Sequence, residues 1–177
     1  MDFTILNRKV IYQGRVFDVQ KVLARLPDGR EHEYDLVTHG GAVTLVPVDQ
    51  DGNMWFVRQF RLGALQELLE LPAGVIEENE APETSAGREL REEIGMAAKE
   101  LREVGQFFMT PGYSSEYLYI FLATGLYPSP LAQDADEFLQ VEVIPVKQVY
   151  EMVRANQVHD GKTLAALLLA EPFLNPR

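Results

Sequence analysis

The chain has 177 residues, 46% of them hydrophobic and 24% charged, with 27 acidic residues against 16 basic ones and a formal net charge of −11. That length suits one globular domain with a core of its own, and the acidic balance excludes nucleic acid as the main partner, because backbone binding needs clustered Lys and Arg. Cysteine is absent, which excludes a disulfide framework and a thiolate metal site; no apolar run reaches the length of a membrane span and residues 1–17 lack a continuous apolar signal core, so a cytoplasmic location is expected.

Alternating and β-branched runs open the chain. Strands are predicted at Lys9–Tyr12, Val16–Leu26, Glu31–Thr38, Ala42–Asp49, Met54–Phe60 and Leu68–Glu70. Pro27-Asp28-Gly29 and Asp49-Gln50-Asp51-Gly52-Asn53 read as hairpin turns between them. Gly74 follows Pro72 and reads as a turn glycine. A helix then starts near Glu80 and Pro82, since proline suits a first turn and acidic residues suit the positive end of the dipole. It ends at Gly95, which readily takes the left-handed conformation beyond a helix C-terminus. Further strands are predicted at Glu103–Phe108, Tyr117–Thr124 and Gln140–Pro145, a long loop at Tyr127–Glu137, and helices at Val146–Ala155 and Gly161–Ala170.

The chemistry concentrates on the first helix. At about 100° per residue, Glu89, Glu92 and Glu93 share an arc of roughly 100°, while Ala86, Leu90, Ile94 and Ala97 face elsewhere. Three carboxylates so close repel one another and raise each other's pKa unless a positive charge sits among them. Arg88 neutralises part of that charge. A hard divalent cation with oxygen ligands neutralises more, and Mg²⁺ commonly combines one or two carboxylates with substrate phosphates.

From Gly74 to Met96 the residues run Gly-x5-Glu-x7-Arg-Glu-Leu-x-Glu-Glu-x-Gly-Met, filled by Gly74, Glu80, Arg88, Glu89, Leu90, Glu92, Glu93, Gly95 and Met96. This segment resembles the Nudix box, the signature of hydrolases that cleave a nucleoside diphosphate linked to another moiety. The resemblance implies an α/β fold, a Nudix-type α/β/α sandwich with a mixed central sheet. It also implies a metal site built from the Ala73 carbonyl, Glu89, Glu92 and Glu93, holding two or three ions of Mg²⁺ or, alternatively, Mn²⁺. Bound cations would also reconcile an acidic chain with an anionic diphosphate, since they invert the local electrostatics of the site.

Outside the box, Arg58-Gln59-Phe60-Arg61, Glu70-Leu71-Pro72-Ala73-Gly74 and Thr110-Pro111-Gly112-Tyr113-Ser114-Ser115-Glu116 resemble the ADP-ribose pyrophosphatase and nucleoside-diphosphate-sugar group, as does the stretch of about forty residues before the core sheet. The resemblance covers roughly residues 8 to 170. It implies hydrolysis of ADP-ribose to AMP and ribose 5-phosphate, with GDP-mannose or another nucleoside-diphosphate sugar as the alternative substrate and a non-catalytic ADP-ribose sensor as a third reading. Glu116, on the loop with Pro111 and Gly112, matches the carboxylate that positions or deprotonates the attacking water; Glu93 competes for that role. Arg61 would grip the diphosphate, since a planar guanidinium binds phosphate bidentately, and Phe17 and Tyr34 are candidates to stack on the base. Tyr34 is also a departure, because many ADP-ribose hydrolases carry an arginine there. Residues 1–40 are expected to form a strand arm that packs across a twofold axis of a homodimer, with residues 41–177 as the catalytic core.

Overall fold

The computed structural model describes residues 2–133 and 138–174. The chain divides into two compact units, residues 1–41 with 107–118, and residues 42–106 with 119–177.

The first unit is an antiparallel sheet of β1 (Thr4–Gln13), β2 (Phe17–Arg25) and β3 (Glu31–His39), in the order β1-β2-β3. The turn between β2 and β3 is set by its own residues. Pro27 supplies a fixed φ, Gly29 takes φ 87°, and its N–H donates to the Leu26 carbonyl at 2.9 Å. Strand β1 is longer than the predicted Lys9–Tyr12 because register shifts at Ile5/Asn7 and Val10/Tyr12 interrupt the alternation that marks a strand in sequence. The segment 107–118 joins this unit edge-on: Val37 N–H donates to the Tyr113 carbonyl at 2.8 Å and Ser115 N–H to the Val37 carbonyl at 2.9 Å.

The second unit is a seven-stranded sheet in a mixed α/β fold. Along its main path the order is β12 (Gln140–Pro145), β5 (Asn53–Arg61), β4 (Ala42–Val48), β10 (Tyr117–Thr124) and β9 (Glu100–Phe108); β6 (Gln66–Glu70) pairs with β5, and β7 (Ala73–Val75) with β4. Asp49 closes the β4–β5 turn by accepting the N–H groups of Asp51 and Asn53 and the indole N–H of Trp55. Helix α1 (Pro82–Glu93) lies on β4 and β7, and α3 (Gly161–Leu174) also packs on β4, while α2 (Val146–Arg154) packs on β12 and β5. Successive strand side chains alternate faces, so Val43 and Leu45 point together and form one core cluster with Ala86 and Leu90 of α1 and with Ile94 at its C-cap.

Two expectations need correction. Ala73-Gly74-Val75 is not a turn but the strand β7, paired antiparallel with β4 through Ala42↔Val75, Val43↔Gly74 and Thr44↔Ala73. Within the expected Tyr127–Glu137 loop, Tyr127–Pro128 forms the short strand β11 against β8 (Met96–Ala97); residues 134–137 lie outside the described residues.

Candidate active site

Helix α1 starts without a side-chain cap. Ala81 is extended at the N-cap, and Pro82 presets the first turn. The helix stops where Gly95 turns to φ 69°. Between these ends it carries two buried surfaces: Ala86, Leu90 and Ile94 join the apolar core, while Glu89 and Glu93 on another face are 7% and 2% exposed.

Burying carboxylates is costly unless they are paired and hydrogen-bonded, and Arg88 is the hub that pairs them. Its guanidinium grips Glu80 with Nε and Nη2, both at 3.0 Å, and Nη1 donates to Glu89 at 2.6 Å and Glu92 at 2.9 Å. Nη2 also donates to the Val75 carbonyl at 3.1 Å and Ser85 Oγ at 3.2 Å. The Glu80 hydrogen bonds hold the guanidinium pKa well above its ordinary value, although burial opposes this, and in return Arg88 draws the Glu80 carboxyl below the usual carboxylate range. Arg88, a candidate for the chemistry itself, is thereby engaged in organising the acidic residues.

Glu93 has a different partner: its Oε2 accepts the Ala73 N–H at 2.9 Å. Gly74 faces the helix beside it. Directly paired residues share a face of the sheet, so Gly74 shares the face of its partner Val43, beneath α1. A Cβ added at Gly74 would lie 1.9 Å from the Glu89 carboxylate. The glycine is required by close approach rather than by its φ.

Glu80, Glu89, Glu92 and Glu93 with Arg88 carry a formal −3 (four carboxylates, one guanidinium). Among the described residues no three acidic or histidine side chains already form a cage. The donors are nonetheless of the right kind. They are hard carboxylate oxygens close against the backbone of strand β7, in excess negative charge and largely buried, which is what a divalent cation with oxygen ligands requires. A carboxylate offers about four lone-pair sites, so a hydrogen bond from Arg88 or Ala73 is compatible with coordination.

Arg61 sits at the end of β5, where Nε and Nη2 donate to the two oxygens of Glu70 at 2.8 and 2.7 Å. Glu70 is 1% exposed. Burial pushes its pKa up, but the hydrogen bonds and charges of Arg61 and Lys162 outweigh that and bring it below the ordinary value. Arg61 is raised chiefly by Glu70, with the charges of Glu93 and Asp160 adding to it, so it belongs electrostatically to the box. Lys162, Asp160 and Thr163 escaped the sequence reading. The signal available was an Asp three residues ahead of a Thr at a helix start, an N-cap spacing.

In the first unit, Phe17 and Tyr34 are 44% and 39% exposed, so neither ring belongs to the core. Phe17 lies 6.2 Å from the Tyr12 ring, and Tyr34 packs edge-on against His32 at 4.7 Å. They are not brought together. Tyr34 pairs with Val22, five residues from Phe17 in a regular register, and an odd separation places the two rings on opposite faces. Pro111 and Gly112 are in the exposed turn ahead of Glu116, whose N–H donates to Ser114 Oγ at 3.1 Å and whose carbonyl accepts the Met109 N–H at 3.1 Å.

Comparison with known proteins agrees with this geometry. A family profile described as the NUDIX domain matches residues 38–167. The ADP-ribose pyrophosphatase of Bacillus subtilis (strain 168) is 35% identical over 166 residues, covering 92% of this chain and 89% of that protein. The ADP-ribose pyrophosphatase of Mycobacterium tuberculosis (strain ATCC 25618 / H37Rv) is 30% identical over 183 residues, covering 99% and 88%. A solved structure described as that of an ADP compounds hydrolase superposes with a TM-score of 0.86 at 27% identity, covering 98% of this chain and 95% of the other. With its box complete from Gly74 to Met96 and its fold shared end to end, the chain belongs to the Nudix family.

Proposed function

We propose that this Nudix enzyme hydrolyses the diphosphate of ADP-ribose to AMP and ribose 5-phosphate. The observation that carries the proposal is the convergence of Glu89 and Glu93 on the Ala73–Gly74 strand, with Glu92 joined to Glu89 through the Arg88 guanidinium, and the similarity to ADP-ribose pyrophosphatases supports the substrate. Nudix hydrolases generally use a divalent metal. The ion would be Mg²⁺ or, alternatively, Mn²⁺, and the Ala73 carbonyl, Glu89, Glu92 and Glu93 would hold two or three of them. Such cations supply charge neutralisation of the diphosphate and activation of water.

The side chains do the remainder. Arg61, anchored through two nitrogens to Glu70, presents its other edge to a phosphate. Glu116 accepts a proton from the attacking water, with Glu93 as the competing base, and Pro111 and Gly112 shape the turn that carries Glu116. No helix among the described residues is long and apolar enough to cross a membrane, and the proposed location is the cytoplasm.

The N-terminal arm leaves Ile5, Val10, Ile11, Tyr12 and Phe17 exposed on adjacent strands. Ile5 and Val10 lie on one face of this sheet, Tyr12 and Phe17 on the other with their rings 6.2 Å apart; exposed apolar side chains at these positions favour an interface, and a second copy of the chain is the proposed cover. Since Phe17 and Tyr34 lie on opposite faces of one sheet, a base held between two such rings requires one from each copy. Sedimentation equilibrium should give twice the chain mass; a monomer at micromolar concentration would refute the dimer.

The substrate is tested by turnover of ADP-ribose, GDP-mannose, UDP-glucose, ADP-glucose, NADH and diadenosine polyphosphates with Mg²⁺, products resolved by chromatography. ADP-ribose is expected to be preferred with AMP released, and Glu116→Gln to lower kcat by about 10²- to 10⁴-fold, the usual contribution of a general base. Preference for another sugar would trace to Tyr34 and move the specificity. Tight ADP-ribose binding without turnover would make the domain a sensor.

A further inference from the structure

Four consecutive residues entering the box are each held by a named partner. Glu70 takes Arg61 and Lys162. Leu71 N–H donates to Thr163 Oγ1 at 2.9 Å. The Pro72 carbonyl accepts Leu45 N–H at 2.8 Å, and Ala73 N–H donates to Glu93 Oε2 at 2.9 Å. Two of these four holds come from the first turn of α3, far away in sequence and outside the box.

That turn is itself tied together by one carboxylate. Asp160 Oδ2 accepts the Thr163 N–H at 3.0 Å, the Thr163 hydroxyl at 2.6 Å and Lys162 Nζ at 2.9 Å. The Thr163 hydroxyl therefore has one orientation, donating to Asp160 while accepting from Leu71, and both Thr163 and Leu71 are fully buried. Asp160 caps the helix as any N-cap aspartate would. A cap alone, however, needs neither a lysine that reaches back to Glu70 nor a hydroxyl that reaches the backbone at Leu71.

We propose that Asp160, Lys162 and Thr163 form a positioning element for the divalent-cation site, fixing the Glu70–Ala73 segment against α1 so that Ala73 and Glu93 keep the separation a shared cation needs. The inference rests on the metal-dependent reading above and adds residues to it. Thr163 acts through Leu71, with Pro72 as a stiff link to Ala73; Lys162 acts through Glu70. None of the three touches the reacting atoms. Partners behind metal ligands typically change metal affinity by 10- to 100-fold when removed.

Direct Mn²⁺ binding to the substrate-free chain, followed by the paramagnetic signal of free Mn²⁺, is the deciding measurement, because it does not depend on turnover. Thr163→Val keeps the shape, removes the hydroxyl and is expected to weaken Mn²⁺ binding about tenfold with the circular dichroism spectrum unchanged, whereas Thr163→Ser stays within about twofold of wild type. Should Thr163→Val fail to fold, Lys162→Met carries the test and is expected to weaken binding in the same direction, with Lys162→Arg restoring it. Folded Thr163→Val or Lys162→Met protein with wild-type Mn²⁺ affinity would overturn the proposal and leave the cluster as an anchor for α3. Wild-type chain that binds no Mn²⁺ would overturn the metal site and this inference together; wild-type chain that binds Mn²⁺, shows the expected loss in Thr163→Val and hydrolyses no substrate would support the positioning role and refute only the proposed activity.

Discussion

Glu93→Gln is expected to lower kcat for diphosphate hydrolysis by roughly a thousandfold, since losing cation-mediated charge stabilisation of several kcal/mol, about 4 here, corresponds to three decades of rate. Stability should not follow. The glutamine carbonyl can still accept the Ala73 N–H, and the substitution removes one of two buried like charges that stand four residues apart on α1. Like pairs at that spacing are mildly destabilising, so in metal-free buffer the variant is expected to unfold at or slightly above the wild-type temperature. Turnover and differential scanning calorimetry on the same preparations decide it. Near-native turnover would remove Glu93 from the metal site, and a large fall in melting temperature would make its role structural.

Gly74→Ala is the complementary case, in which a single methyl acts on the site through space. The added Cβ would fall within 1.9 Å of the Glu89 carboxylate, so one of the two must move. The strand is held by its pairing to β4, which leaves the carboxylate to give way. Because the displaced group is the end of a flexible side chain, the stability cost should stay near 1 kcal/mol, as for an ordinary substitution. The rate cost is larger: displacing a group from productive geometry by about 1 Å costs on the order of a hundredfold. A kcat loss of that size with a small shift in melting temperature is expected. An unaltered kcat would show that Glu89 can work from a displaced position and that the close approach at Gly74 has no catalytic meaning.

Much of the fold was legible because its boundaries are written in local chemistry. Pro82 and Gly95 delimit α1, Pro27 to Gly29 make a turn whose glycine has the positive φ it was chosen for, and Asp49 organises its own hairpin. The short elements were not legible. A three-residue strand such as β7, or the two-residue pair β8 and β11, is too short to carry a period, and its existence depends on a partner strand distant in sequence. Helix α3 shows another limit: the apolar pattern gives Gly161–Ala170, yet the helix runs on through Pro172 to Leu174. Pro172 lacks only its own N–H donor to the carbonyl four residues back, a single bond near the end of the ladder.

The same division holds for the site. The spacing of Glu89, Glu92 and Glu93 fixes their common arc by helical geometry alone, and the charge excess there follows from counting, so the kind of ligand they attract was written in the sequence. Which groups Arg88 would grip, that Gly74 lies under Glu89, that Phe17 and Tyr34 part to opposite faces, and that Asp160, Lys162 and Thr163 reach the segment before the box were decided only in three dimensions. The reason is range: periodicity and capping act within a few residues, whereas these contacts join residues that only strand pairing and helix packing bring together, with register, a matter of a single residue, setting which face each side chain takes.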